Sequence, residues 1–132
     1  MDAINAYLLD HKIKVTDVRK TIDDAHARFS ALSREYEYVI LNRSAPPAIE
    51  EGKVWHQRRI LNIKKMQEAA SYFVGTHDFT SFRATQCQSK SPIKTLDELV
   101  VVQKENKILI RAKAKYILHH QVRNIVGTLQ LV

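Results

Sequence analysis

One cysteine, three glycines and three prolines in 132 residues leave little room for disulfide or glycine-loop chemistry. Cys87 has no second thiol to pair with, so an internal disulfide is excluded. No apolar run approaches the roughly 20 residues of a membrane-spanning helix, the longest being short strings such as Leu99-Val-Val-Val102, which argues against a membrane role. The first residues, Met-Asp-Ala-Ile-Asn, lack the basic and apolar regions of a signal peptide, so the expected compartment is the cytoplasm. Acids are scarce as well: 14 Asp and Glu face 21 Lys and Arg, a net charge of +7 and a pI near 9.6. Such a balance favours a polyanionic partner, nucleic acid first, although many soluble proteins are basic without binding one. The length predicts a single domain able to bury roughly two-thirds of its unfolded surface.

What is present reads as an α+β chain. Ile4, Tyr7 and Leu8 recur at helical spacing, and Ile13, Val15 and the charged run to Lys20 suggest a short strand. From Ser33 to Leu41 the chain alternates, with Tyr36, Tyr38 and Ile40 on one face and Glu35, Glu37 and Val39 on the other, which predicts a strand. Asn42 to Lys53, with two prolines and a glycine, predicts a surface loop. Asn62 is placed to cap a helix whose Ile63, Met66, Ala70, Phe73 and Val74 share a face, and Gly75 suits its stop. Thr95 to Gln103 and Lys107 to Ala114 read as a hairpin joined at Lys104-Glu-Asn-Lys107. In its second strand Ile108, Ile110, Ala112 and Ala114 form a core face, and Leu109, Arg111, Lys113 and Lys115 a largely basic one. After Tyr116, the spacing of Leu118, Val122, Ile125, Val126 and Leu129 predicts a buried helix. The order predicts an antiparallel sheet flanked by helices.

Two polar, aromatic-bearing strings stand apart: His77-Asp-Phe-Thr-Ser-Phe-Arg-Ala-Thr-Gln-Cys-Gln-Ser89 and His119-His-Gln-Val-Arg-Asn-Ile-Val-Gly-Thr128. In the second, His119 and Arg123 would share a helix face, with His120 and Asn124 beside them. Arg123, flanked by an apolar stripe, should be partly buried and need a carboxylate or phosphate, or else form a salt bridge within the core. Adjacent His119 and His120 point about 100° apart on a helix and cannot ligate one metal together. A Cys87 nucleophile is the weaker reading, because no hydrolase signature surrounds it. The first string suits unpaired RNA: bases stack on aromatic or guanidinium planes, as on Phe82 and Arg83, while Lys90 and Lys94 meet phosphates. Alternatively Phe79 and Phe82, three apart, anchor a short helical turn in the core. Tyr36 and Tyr38 likewise could both pack on the inner face of their strand.

Both strings closely resemble motifs of the tRNA pseudouridine synthase A family, as does His26-Ala-Arg-Phe-Ser-Ala31 followed by Arg34-Glu-Tyr-Glu-Tyr38. The resemblance runs from about Asp23 to the C-terminus and implies an isomerase that converts uridine to pseudouridine in the anticodon arm of tRNA. It implies no metal or organic cofactor, and a homodimer as the working form. By this resemblance Tyr36 is the tyrosine that stacks on the target uracil, and Arg123 the arginine that pairs with a nucleophilic aspartate. Arg28, Phe82, Arg83, Lys90, His119, His120 and Asn124 are then the candidate RNA contacts. The family's catalytic Gly-Arg-Thr-Asp-Ala-Gly is absent: Gly52, Gly75 and Gly127 are too far apart to supply it. Loss of a nucleophile costs a factor on the order of a million in turnover, so the chain alone is expected to be inactive, a partial domain truncated at both ends relative to the family. A non-catalytic module that binds RNA or self-associates is the alternative. A sheet lacking its other half would expose an edge and favour a dimer or higher oligomer.

Overall fold

The computed structural model describes residues 1–132, which fall into two compact units, Met1–Ala31 and Leu32–Val132. No helix is long and apolar enough to cross a membrane.

In the first unit, helix α1 (Asp2–Tyr7) forms where the spacing of Ile4 and Tyr7 predicts it. No strand follows. A strand needs a neighbour to take its N–H and C=O groups, and here Val15 is bonded at both ends to one side chain instead. Asn5 Nδ2 donates to the Val15 carbonyl and Asn5 Oδ1 accepts its N–H, each at 2.8 Å. Ile13 and Val18 stay exposed. Further on, His26 organises a self-contained turn. Its Nδ1 accepts from the N–H groups of Arg28 and Phe29, its own N–H donates to Ser30 Oγ, and its ring lies 4.3 Å from that of Phe29.

The second unit is α+β, as the pattern predicts. A four-stranded sheet in the order β2-β1-β6-β5 is built from β1 (Arg34–Asn42), β2 (Trp55–Gln57), β5 (Glu98–Lys104) and β6 (Lys107–Ala114). The pairings β1–β6 and β5–β6 are antiparallel, while β2, not foreseen from the sequence, joins β1 in parallel. The run from Thr95 to Gln103 is broken at Asp97. Its first part belongs to β4 (Ile93–Leu96), which pairs with β3 (Gly75–Asp78) in a separate two-stranded sheet. The hairpin turn falls at Glu105-Asn106, with Glu105 in the left-handed region at φ +52°.

Helices α2 (Ile63–Ser71) and α3 (Gln121–Leu129) cover one side of the sheet. Met66 and Ala70 of α2 and Val122, Ile125, Val126 and Leu129 of α3 join Ile40, Ile108, Ile110, Ala112 and Ala114 in one core. Asn62 caps α2 by accepting the Lys65 N–H, satisfying one of the orphan donors of its first turn. Beyond the helix, Gly75 adopts φ +105°, which a side chain would strain, as the backbone turns into β3. Asn42 at the end of β1 holds the returning chain, donating to the carbonyls of Gln57 and Arg59 and accepting the Leu61 N–H.

The other side of the sheet is not the basic face expected of β6. Arg111 Nε meets Glu37 at 2.7 Å, and Lys113 Nζ meets Glu35 at 3.0 Å, each directly across the β1–β6 register. Opposite charges facing one another across strands are mildly stabilising and cancel the surface charge. The Glu35 contact also raises the Lys113 pKa.

Candidate nucleic-acid interface

The two strings singled out in the sequence are docked against each other. The Ala84 N–H donates to the His119 carbonyl at 3.0 Å, and Asn124 Nδ2 donates to the Phe82 carbonyl at 2.9 Å. On the first string, β3 ends at Asp78, whose Oδ1 accepts both the N–H and the hydroxyl of Thr80 and so starts the 3-10 turn Thr80–Phe82. These bonds hold the Asp78 carboxyl below the usual carboxylate range, with a smaller contribution from Arg83. Phe79 is fully buried. Phe82 is half-buried, edge-on to Phe73 at 5.0 Å and to Phe79 at 6.2 Å. Both phenylalanines thus anchor this turn in the core, while Arg83 is half-exposed and Lys90 exposed.

On the second string the helix begins later than its apolar spacing suggests. His119 and His120 precede α3, so they do not share a helix face with Arg123 and Asn124. His120 is the N-cap residue, in the left-handed conformation at φ +62°. Gln121 makes this bend. Its backbone N–H donates to the Leu118 carbonyl at 3.1 Å, while its side-chain Oε1 accepts the Leu118 N–H at 2.8 Å. Gln121 is the only buried polar side chain of the chain, 1% exposed. The sequence reading passed over it, although a glutamine at a core-facing helix position was a usable signal.

Arg123 is exposed, against the expectation of burial, and takes no hydrogen bond or ion pair within the chain. The physical reason is its position. It sits in the first turn on the side of α3 opposite Ile125, Val126 and Leu129, so the core never reaches it. The rings of His119 and His120 lie 4.0 Å apart, and the charge of His119 lowers the His120 pKa, with burial and Arg123 adding to the shift. No acid lies in the first turn of α3. A helix N-terminus already carries partial positive charge, so the Arg123 guanidinium beside it makes an electropositive end with no acid in the first turn, and the two histidines there can add charge when protonated. Such an end suits a carboxylate or phosphate supplied from outside.

Tyr36 lies in register with the buried Ala112, on the side of the sheet that the helices cover, yet is 49% exposed because the cover ends short of it. Its neighbour on the same face, Tyr38, packs edge-on against Trp55 at 6.2 Å. Tyr36 thus stays partly open to solvent while Tyr38 packs against the core. Arg28 lies in the first unit, 5.8 Å over the Phe29 ring, and is described there alone. Cys87 is partly buried, and hydrogen bonds to the backbone at Ser89 and His119 lower its pKa. No three His, Cys, Asp or Glu side chains gather as a metal site.

Comparison with known proteins gives this geometry its context. Residues 69–132 match a family model described as tRNA pseudouridine synthase. The whole chain is similar to tRNA pseudouridine synthase A of Rhodospirillum centenum, 52% identical over 98% of this chain and 53% of that protein. It is 52% identical to the Rhodospirillum rubrum protein of the same name, over 100% of this chain and 48% of that protein. The Gluconobacter oxydans protein is 46% identical over 99% and 48%. The chain spans about half the length of these curated relatives.

Proposed function

We propose that this chain, homologous along its length to tRNA pseudouridine synthase A and bearing out the resemblance read from its motifs, forms the Tyr36 and Arg123 part of a uridine-isomerising site on tRNA. The observation that carries this reading is the electropositive start of α3, where Arg123 is exposed without a carboxylate of its own chain. An attacking aspartate, supplied from outside these 132 residues, would be held there by a charge-assisted pair. Tyr36 offers the exposed aromatic face on which an extruded uracil stacks. In the reaction the aspartate attacks, the N1–ribose bond breaks, the freed base turns, and its C5 bonds to the ribose carbon as the aspartate is released; C5 gives up its proton and N1 ends protonated, so the product is an isomer of the substrate. No part of this needs the charge of a metal. Arg83, Lys90, His119 and His120 lie on the exposed sides of the two docked strings and meet phosphate, while Asn124 fixes the strings to each other. Arg28 is a further contact from the first unit. Phe82, held by two other phenylalanines, supports the turn more than it offers a stacking face.

Because these residues contain no Gly-Arg-Thr-Asp-Ala-Gly, the chain alone binds tRNA without modifying it. The test measures both properties. Binding of tRNA at low salt that weakens steeply as salt rises supports the reading, and a folded chain that binds none refutes it. Pseudouridine formed in tRNA by the purified chain would refute the inactivity. A supplied protein segment carrying the missing motif should restore turnover, and Arg123→Ala should abolish that rescue. The outer strands β2 and β5 each have one neighbour in the sheet, which favours a dimer or larger assembly; a clean 15.2 kDa monomer by light scattering would contradict it.

A further inference from the structure

At the end of β6, a cleft of about 430 Å³ lies between the two sheets, lined by Thr76, Thr95, Lys94, Lys115 and Tyr116, with Ile93 and Asp97 completing it. It has the volume of a small-molecule site. Apart from Lys94, already read as a phosphate contact, its residues lie outside the two polar strings, because the cleft exists only once β3 has paired with β4 and β6 has ended beside them. Tyr116 is 54% exposed. Two cations attend its ring: the Arg34 guanidinium carbon at 5.5 Å and Lys115 Nζ at 5.6 Å from the centroid. Thr76 and Thr95 face each other across the β3–β4 register with their hydroxyls 2.8 Å apart. Lys94 Nζ is held in place by the carbonyls of Ser91 and Ile93.

Arg34 links this cleft to the proposed site. It sits two residues before Tyr36 on the same face of β1, roughly 7 Å along the strand. An exposed tyrosine, a cation and a second exposed tyrosine therefore run in a line from Tyr36 through Arg34 to Tyr116. Alternating aromatic planes and positive charges are what a single strand of nucleic acid asks for: bases stack on the rings and the backbone phosphates meet the cations.

We infer that the Tyr116 cleft binds a nucleotide of unpaired RNA adjoining the one held at Tyr36, with the base on Tyr116 and its phosphate between Lys94 and Lys115. The paired threonine hydroxyls reach sugar or phosphate oxygens, and the Asp97 carboxylate accepts from a base N–H, giving the cleft a preference among bases rather than mere affinity for charge. The inference rests on the RNA reading proposed above and adds a second subsite to it.

The test uses the 132-residue chain and a fluorescently labelled RNA stem-loop, with affinity followed by anisotropy across a salt series. Lys94→Gln with Lys115→Gln should weaken binding about tenfold and lower the salt slope by about two, one for each lost phosphate contact. Tyr116→Ala should weaken binding about five- to tenfold with the slope unchanged, and Tyr116→Phe should bind as the parent does. Thermal melting of each variant separates these effects from misfolding: Lys115 and Tyr116 are exposed, and half-buried Lys94 bonds only the carbonyls of Ser91 and Ile93 beside it, so melting should change little. If the parent chain binds the stem-loop and these variants bind it equally well, the subsite is refuted while the RNA reading stands. If the parent chain does not bind at all, both fall.

Discussion

The side-chain amide of Asn124 donates to the main-chain carbonyl of Phe82 at 2.9 Å, so one hydrogen bond ties α3 to the 3-10 turn after β3. Between those residues lie β4, β5 and β6, and the bond therefore fixes the relative position of two strings that the chain itself leaves far apart. Asn124→Ala leaves a half-buried carbonyl unpaired and should cost about 1–2 kcal/mol in urea denaturation. Asn124→Asp should cost at least as much, since a carboxylate has no hydrogen to give. Both should also weaken RNA binding, because Arg83 and Arg123 would no longer be held together.

Gln121 offers a sharper test of the bend before α3. In Gln121→Leu the Leu118 N–H loses its partner in a dry site, an expected loss of about 1–3 kcal/mol. Gln121→Glu keeps the accepting oxygen but buries a carboxyl, whose pKa rises. The sign follows: this variant should lie closest to the parent at low pH, where the carboxyl is neutral, and fall further behind as pH rises through its native pKa. Denaturation midpoints at pH 5 and pH 8 measure the difference.

Burial decides the aromatic substitutions around the same turn. Phe79→Ala empties a fully enclosed position and should cost about 3–5 kcal/mol, whereas Tyr72→Ala, 72% exposed at the end of α2, should stay within about 0.5 kcal/mol. Calorimetric melting of the two variants suffices to check this.

The histidine pair predicts a pH dependence. The His120 pKa is lowered in the folded chain, first by His119, so the unfolded chain binds its proton more readily. That contribution to stability is present above the unfolded histidine pKa and is lost as pH falls through the folded value. Melting temperature should thus drop between pH 7 and pH 5, and less so in His119→Gln. A bound phosphate favours the protonated rings, so RNA affinity should move the opposite way and rise on acidification.

Much of the fold was legible because local and global signals agreed. The alternation of β1, the Asn62 cap and the two-residue hairpin turn each carry their own structural cause in a few neighbouring residues. What escaped depended on partners distant in sequence. The Arg111 and Lys113 side of β6 looked like a basic surface until its register against Glu37 and Glu35 was known. The strand expected at Ile13 and Val15 has the right residues and no neighbour. His119 and His120 fit the helical spacing of Leu118 and Val122, yet His120 takes the left-handed conformation and the Gln121 side chain closes back on the Leu118 N–H, so the helix begins only after them. The cleft beside Tyr116 was equally hidden, since it needs β4 paired with β3, whereas the sequence runs β4 on into β5.

The pairing of β1 with β6 has a temporal consequence. Arg34 waits for Ala114 and Leu41 for Lys107, so the central ladder of the sheet cannot form until nearly the whole second unit has left the ribosome. At ordinary synthesis speeds β1 spends on the order of several seconds without its main partner. Loop closure over such a span is slow, which makes β1 the segment most in need of shielding during synthesis.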